Sequence, residues 1–524
     1  MIMTPRRMRY LAAMFALFFF WGCAMVNPKP DYDRTGKRIA DATGSQVWFE
    51  PGQDETVRLK VDELLREGIT SDEAVQICLI NNPSLQAAFL DVGIARADVV
   101  QSGLFSNPTL ALSVAFPEGG GRSNLQATFA QNIVDLWQIP IRRRVSEQTL
   151  EAAILNVARQ ASQFSVDTRS AYFTALAADK ALIIARENVG IASQLLDTAT
   201  TRQQAGAVGE LDVNLARGAS YSAELEMERS RLDASSARRR LAILLGLTDR
   251  VEELQLAASG MAIGNLTLNS DSLIELSLAS RLDVQAARME VDADLHRVDL
   301  EMAKVFPELS IGFYDERTER RALPGRKLLG DTARASVASG GLTAPEIQSR
   351  GQKRRERSQI IDNIFGPAFS LTLPLFDQNQ AQIAKARITY DQAVRRLDAL
   401  QREVIQAVRQ GVDQAETARK IASYFHEKLL PQAQANLDLS RESYQAGRAT
   451  LITLLDAQRS LLTARRDAVV AERERSIAIT ELERLTARPL ASLLELQCST
   501  SQPVVESPPD SSEPATSPPS GGQP

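Results

Sequence analysis

Four short stretches of this chain alternate apolar with mild residues, and nothing past the N-terminus is apolar for long enough to cross a bilayer as a helix. In Pro108–Phe116, the residues Leu110, Leu112, Val114 and Phe116 fall on one face, and Thr109, Ala111, Ser113 and Ala115 on the other. Leu125–Ile133, with Ala127 and Phe129, repeats the pattern beyond a glycine-rich turn at Pro117–Ser123. Leu309, Ile311 and Phe313 alternate with Ser310, Gly312 and Tyr314, and Phe369, Leu371, Leu373 and Leu375 with Ser370, Thr372 and Pro374. A period of two belongs to strands, predicted at about 108–116, 125–133, 307–315 and 367–375. Stretches of about nine residues suit tilted strands that cross a bilayer. Four strands cannot close a barrel around a lumen, and an open strand edge is not tolerated in hydrocarbon. Several copies must then share one barrel; two, three or four would each give an even strand count.

The period changes from helical to two and back again twice, in two copies of one pattern. Ser71-Asp72-Glu73-Ala74-Val75 through Gln86-Ala87-Ala88 overlays on Ser270-Asp271-Ser272-Leu273-Ile274 through Gln285-Ala286-Ala287. Asn107-Pro108-Thr109-Leu110 then overlays on Phe306-Pro307-Glu308-Leu309 in the same register. Ile133-Val134-Asp135 matches Leu375-Phe376-Asp377 and Gly206 matches Gly447, so the second copy holds extra residues between Pro307 and Leu375. Each copy reads as a helix (Leu85–Leu104 in the first), a strand pair and a helical hairpin. Ile141–Ala205 lacks proline, and its twin Ile383–Ala446 is interrupted only by Pro431. Helices of that length need partners along their sides, so coiled-coil hairpins are expected. Each hairpin reverses at a glycine, Gly206 or Gly447, and returns through Leu211–Leu245 or Leu451–Leu485. The first repeat spans 69–250, a linker 251–267 and the second repeat 268–488.

At the N-terminus, Arg6, Arg7 and Arg9 precede the apolar run Leu11–Trp21 and then Gly22-Cys23. Such an order describes a secretory signal, predicted as residues 1–22. Cys23 follows Gly22 as in a bacterial lipobox, whose cysteine is acylated; the alternative is an ordinary signal followed by an unrelated cysteine. Acylation would make 23–68 a lipid-anchored segment, and stable anchoring takes more than one chain, such as palmitate. Ala24 stands where, by analogy, an aspartate would retain a lipoprotein in the inner membrane, so the outer membrane is the expected destination. Cys78 lies in an apolar run and reads as a small core residue, with a Cys78–Cys498 disulfide as the alternative. The tail 489–524, dominated by Pro and Ser from Ser499, is expected to be disordered.

Lys plus Arg number 60 against 65 Asp plus Glu, a formal net charge of −5, so no basic surplus exists for a nucleic-acid partner. Only two histidines, His296 and His426, and three cysteines exclude a Cys/His zinc site and a dense disulfide framework. His426-Glu427 lacks the second histidine of a zincin helix, and Gly119-Gly120-Gly121-Arg122 lacks the Gly-Lys-Ser/Thr of a phosphate-binding loop. No catalytic residue, metal site or cofactor is expected, and energy for any transport must come from a partner.

These residues resemble the TolC family of outer-membrane efflux channels, in the lipid-anchored branch typified by OprM and CusC, over roughly Val61–Arg488. The most specific parts are Asp72-Glu73-Ala74-Val75 with Asn81-Asn82-Pro83-Ser84-Leu85-Gln86-Ala87, and Gly447-Arg448-Ala449-Thr450-Leu451-Ile452-Thr453-Leu454-Leu455-Asp456-Ala457-Gln458-Arg459-Ser460. The resemblance implies a membrane β-barrel plus a long α-helical coiled-coil barrel. Three protomers, each giving four strands, would form a twelve-stranded barrel above a twelve-helix periplasmic tunnel closed at its inner tip. It implies a homotrimer in outer-membrane lipid, docked to a periplasmic adaptor protein and an inner-membrane pump of the resistance-nodulation-division type. The implied function is a passive exit duct for small molecules or metal ions, although no Met- or His-rich stretch supports metal export. The alternatives are a duct for a type I protein secretion system and a periplasmic coiled-coil scaffold.

By position, Asp456 matches an aspartate that rings the family's constriction, and Ile452 a hydrophobic gate residue one turn earlier. A ring of carboxylates attracts cations and resists anions. Tyr444 and Asp212 match residues that hold neighbouring hairpins together, and Gly206 and Gly447 would form the adaptor-contacting tip. Thr453 replaces a second pore aspartate, and Ala449 a tip arginine, with Arg448 one place early. Asp456 and Asp212 read otherwise as solvated helix charges. The basic, glycine-rich insertion 315–361 (Lys353-Arg354-Arg355 and Arg357 included) should face outward, either to bind anionic surface lipid or as a solvated loop.

Overall fold

The computed structural model describes residues 25–47, 54–66, 68–116, 123–257, 269–305, 308–319, 326–342 and 361–489, with Gly52. The predicted signal 1–22, Cys23, most of the tail, and parts of the linker and of the 315–361 insertion lie outside them.

Local chemistry sets the helix starts. Helices α1 (Lys29–Thr43) and α2 (Asp54–Leu64) lead into α3 (Ser71–Asn81). Thr70 Oγ1 accepts the Glu73 amide at 3.3 Å while Glu73 Oε2 accepts the Thr70 amide at 2.7 Å, a reciprocal capping box. Asn82 ends α3 and opens α4 (Pro83–Ser102), its side chain accepting the Ser84 amide at 2.9 Å ahead of a proline that needs no donor. Strands β1 (Thr109–Ala115) and β2 (Asn124–Asn132) follow, then α5 (Asp135–Gln204) and α6 (Glu210–Leu245). The second half repeats this order with α7 (Ser270–Ser280), α8 (Leu282–Ala303), β3 (Leu309–Glu319), α9 (Arg326–Ser339), β4 (Ile361–Leu371), α10 (Gln380–Tyr424), α11 (Leu430–Gln445) and α12 (Leu451–Thr486).

Helix α5 has 70 residues and begins ahead of Pro140, earlier than Ile141. At about 1.5 Å per residue it is on the order of 100 Å long. Its counterpart is broken by a π-turn at Phe425–Leu429 just before Pro431. Pro431 cannot donate to the preceding turn, and the widened turn takes up the missing bond and the ring. Both hairpins reverse at glycines in the left-handed region, Gly206 at φ 73° and Gly447 at φ 69°, where a side chain would be strained. The α5–α6 seam is a run of small residues. Val213, Ala216, Ser220, Ala223, Ser230, Ala234 and Ala237 are buried at alternating spacings of three, four and seven, the mark of left-handed coiling with close approach. Laterally, α5 packs on both α6 and α12, and α12 on α10 and α11, which leaves α6 and α10–α11 at the open edges of one helical layer.

The strands form one antiparallel sheet in the order β1-β2-β3-β4. Its register pairs Leu110 with Phe129, Phe129 with Phe313, and Phe313 with Pro367, so one face carries an unbroken apolar band. Phe313 and Phe365 stack within that band, centroids 5.7 Å apart. The opposite face carries Ser113, Thr128, Ala130, Ser310, Gly312, Tyr314, Gly366 and Ser370. Strand β3 runs to Glu319, past the predicted 315, and β4 covers Ile361–Leu371 where 367–375 was expected. Once the hairpin leaves the apolar band, Asp315, Arg317 and Glu319 can occupy strand positions that an apolar period does not reveal. At the other end Leu371 meets the first residue of β3, Leu309, so Leu373 and Leu375 lie beyond the strand. The 315–361 insertion therefore contains the end of β3 and helix α9.

Nearer the sheet than the hairpin tips, the N-terminal segment is latched to the first half, at Arg96 late in α4 and Glu151 early in α5. Asp31 is buried and accepts Arg96 Nε at 2.5 Å and Nη2 at 2.6 Å, a two-pronged carboxylate–guanidinium pair. The Tyr32 hydroxyl lies where a Cβ on Gly93 would be, 2.4 Å away, so only glycine admits α1 here. Arg169 of α5 joins both halves, donating to Glu483 of α12 and, at 2.9 Å, to Asp72 of α3. Cys78 is a buried free thiol among core side chains, raised to about 11 chiefly by that burial.

Candidate functional site

The two hairpin tips close on a shared apolar cluster. Ala199, Val213 and Ala216 from the first hairpin pack with Tyr444, Leu451, Leu454 and Leu455 from the second. These positions follow from capping: Thr450 Oγ1 accepts the Thr453 amide at 3.4 Å and starts α12, which aims Leu451, Leu454 and Leu455 inward. Ile452 and Asp456, one turn apart, are left on the opposite face, Ile452 about half exposed at 53%. The Asp456 side chain is 67% exposed, with Arg459 3.9 Å away as its nearest cation.

Tyr444 is 6% exposed, and the Arg202 guanidinium lies 4.8 Å from its ring centroid. The Tyr444 hydroxyl has no hydrogen-bond partner among the described residues, so Tyr444 and Asp212 are not joined within one chain. Asp212 lies in the first turn of α6, partly buried, its amide donating to Gly209 at 3.2 Å. A carboxylate there is favoured by the helix dipole. Gly206 and Gly447 are at the two reversals with open space around each Cβ position. Arg448 donates its amide to the Ser443 carbonyl at 2.8 Å, and Ala449 packs beside the cluster. Arg202 was not singled out from the sequence; its one signal is a basic residue in the last turn of α5.

At the far end of the long helices, Asp135 ties helix to sheet. Its Oδ2 accepts the Ser106 amide at 2.7 Å and hydroxyl at 2.6 Å, and Arg142 donates to its Oδ1 at 3.0 Å. Burial pushes this carboxyl up, but the Ser106 bonds and Arg142 outweigh it and hold it below its ordinary value. The matching Asp377 accepts only the nearby Asn379 amide, at 2.9 Å, among the described residues, and Glu301 takes the cross-link instead by accepting Asn379 Nδ2 at 2.8 Å.

Among the described residues no cluster of His, Cys, Asp and Glu is placed to hold a metal ion, and no helix is long and apolar enough to span a membrane.

The family model described as outer membrane efflux protein matches residues 74–247 and 273–488. The cobalt-zinc-cadmium resistance protein CzcC of Cupriavidus metallidurans is 23% identical over 427 residues, 80% of this chain and 90% of that one. The probable efflux pump outer membrane protein TtgC of Pseudomonas putida is 25% identical over 488 residues, 87% of this chain and 90% of its own. Among solved structures, the CmeC outer membrane channel of Campylobacter jejuni superposes with a TM-score of 0.61 at 15% identity, covering 82% of this chain and 89% of that one. CusC superposes at 0.58 with 18% identity, covering 80% and 91%.

Proposed function

The chain belongs to the outer membrane efflux protein family, and we propose that three copies form the exit duct of a tripartite efflux system. The observation that carries this reading is a pair of open edges. Among the described residues, strands β1 and β4 each have a neighbour on one side only, and so do α6 and α10–α11 in the helical layer. Leu110, Leu112, Phe365 and Phe369 leave more than half their surface uncovered on the sheet's apolar face, which lipid would cover. Because β1 and β4 run antiparallel, β4 of one copy continues the alternation into β1 of the next, and closure removes every edge. The mild face of Ser113, Thr128, Ser310 and Ser370 then lines a wet lumen.

Below the barrel the same closure sets Tyr221, Leu225 and Leu232 of α6 against α10–α11 of the next copy. Ile452 and Asp456 of three copies converge as a gate at the tip, where carboxylates focus cations. Gly206 and Gly447, at the outermost reversals, are the contact for a periplasmic adaptor that joins the duct to an inner-membrane pump. Cys23, acylated, would add a lipid anchor. The duct does no chemistry of its own; relatives are named for cobalt-zinc-cadmium resistance, pyoverdine export and antibiotic efflux, and a water-filled passage accommodates each class.

Purified protein in planar bilayers tests this. Asp456→Ala should raise single-channel current and weaken block by divalent cations; an unchanged block would remove Asp456 from the gate, and absence of any conductance would overturn the duct.

A further inference from the structure

The face of α12 that presents Ile452 and Asp456 does not stay acidic. Continuing up the helix at heptad spacing come Arg459, Arg466 and Arg473, with Thr463 and Val470 between them on the same side. Arg466 and Arg473 border a cleft of about 340 Å³ between α6 and α12, floored by the alanines Ala177, Ala178 and Ala181 of α5. This floor lies on the side of α5 away from Tyr172, whose hydroxyl donates to the Ile69 carbonyl at 3.0 Å under the N-terminal helices. Arg240 of α6 completes the wall and makes no hydrogen bond or ion pair among the described residues. The remaining charges are few. Arg466 pairs with Glu226 at 2.5 Å, Arg473 with Glu474 at 3.4 Å, and Asp233 is the one carboxylate among the lining residues.

We propose that Arg240, Arg466 and Arg473 form an anion-binding niche in the duct wall, which takes small carboxylate- or phosphate-bearing cargo just outward of the acidic gate. The proposal rests on the reading that this face of α12 lines the duct. Guanidinium groups suit it: they stay charged, and their planar forks match carboxylate and phosphate oxygens two at a time. The Ala floor lets an anion approach between the helices without displacing side chains. Three copies would set three such niches around one axis, a cationic belt beyond a negative constriction.

The test uses the full chain in planar bilayers with inorganic pyrophosphate as the probe. Pyrophosphate should block the wild-type current, and the R240Q/R466Q/R473Q variant should need about ten-fold more probe for half block, whereas R466K/R473K, which keeps the charge but loses the fork, should fall between the two. Should the triple variant fail to assemble, R240Q alone, at an exposed unpaired arginine, should still need about two-fold more. Thr463→Cys, treated with a negatively charged thiol reagent, reports separately whether the face is luminal. If that reagent alters the current but pyrophosphate blocks wild type and variants alike, the niche is overturned and the duct stands. If the reagent has no effect, the face is not luminal and the niche falls with the orientation of α12.

Discussion

Laying Gly206 on Gly447 sets the two halves of the chain side by side, and the returning helices then differ in one consistent way. Leu225 and Leu232 of α6 fall opposite Arg466 and Arg473 of α12, Gly218 opposite Arg459, and Leu215 opposite Asp456. The backbone pattern is shared, while the chemistry is divided. In the first half Leu225 and Leu232 are exposed apolar side chains, whereas in the second Arg466 and Arg473 border a cleft. The junctions to the sheet differ likewise, Asp135 being a buried cross-link and Asp377 a local turn. On the proposed reading, the first half serves assembly and the second the gate and the niche.

The largest break in that division should come from charging the assembly edge. Leu225→Glu with Leu232→Glu would bury unpaired carboxylates between copies at a cost of several kcal/mol, and light scattering should show loss of the trimer. Arg466→Leu with Arg473→Leu, at the equivalent places, should leave the trimer intact. Next, Asp135→Asn should cost about 1.5–3 kcal/mol, read as a lower melting temperature, because it weakens hydrogen bonds to a charged group. Asp377→Asn should stay within about 0.5 kcal/mol. The pH dependence has a definite sign. A carboxyl held below its ordinary value contributes fully above its unfolded pKa and loses that contribution as pH falls through the folded value. The Asp135 junction should therefore loosen only below about pH 4, and Asp135→Asn should flatten that loss. A smaller effect is expected at the tip: Arg202→Ala should cost about 0.5–1 kcal/mol through its contact with the Tyr444 ring. Tyr444→Phe, which removes a hydroxyl with no partner among the described residues, should be neutral in the same denaturation series. A marked loss on Tyr444→Phe would mean that the hydroxyl is bonded across copies.

Much of this was legible in the residues themselves. The strand pairs declared themselves by Leu110, Leu112 and Val114, and the hairpins by uninterrupted helical stretches ending at Gly206 and Gly447. Strand ends were less legible, because Asp315, Arg317 and Glu319 extend β3 and break the apolar alternation that marks its start. The latch of Asp31 on Arg96 and the bridge of Arg169 to Glu483 join residues far apart in sequence, and no local period encodes them. Pro431 marked a break but not its form, a π-turn rather than a kink. At the tip, Ile452 and Asp456 fall on the exposed face that their spacing requires, whereas Arg202 emerges only once the two hairpins are packed together.

The central claim is that a sheet of four strands with one apolar face is completed by sister chains. Native mass spectrometry of the protein extracted from outer membranes in mild detergent tests it most directly. The account predicts a species of three chains that survives until the detergent is stripped; a single chain, folded and stable without detergent, would contradict it.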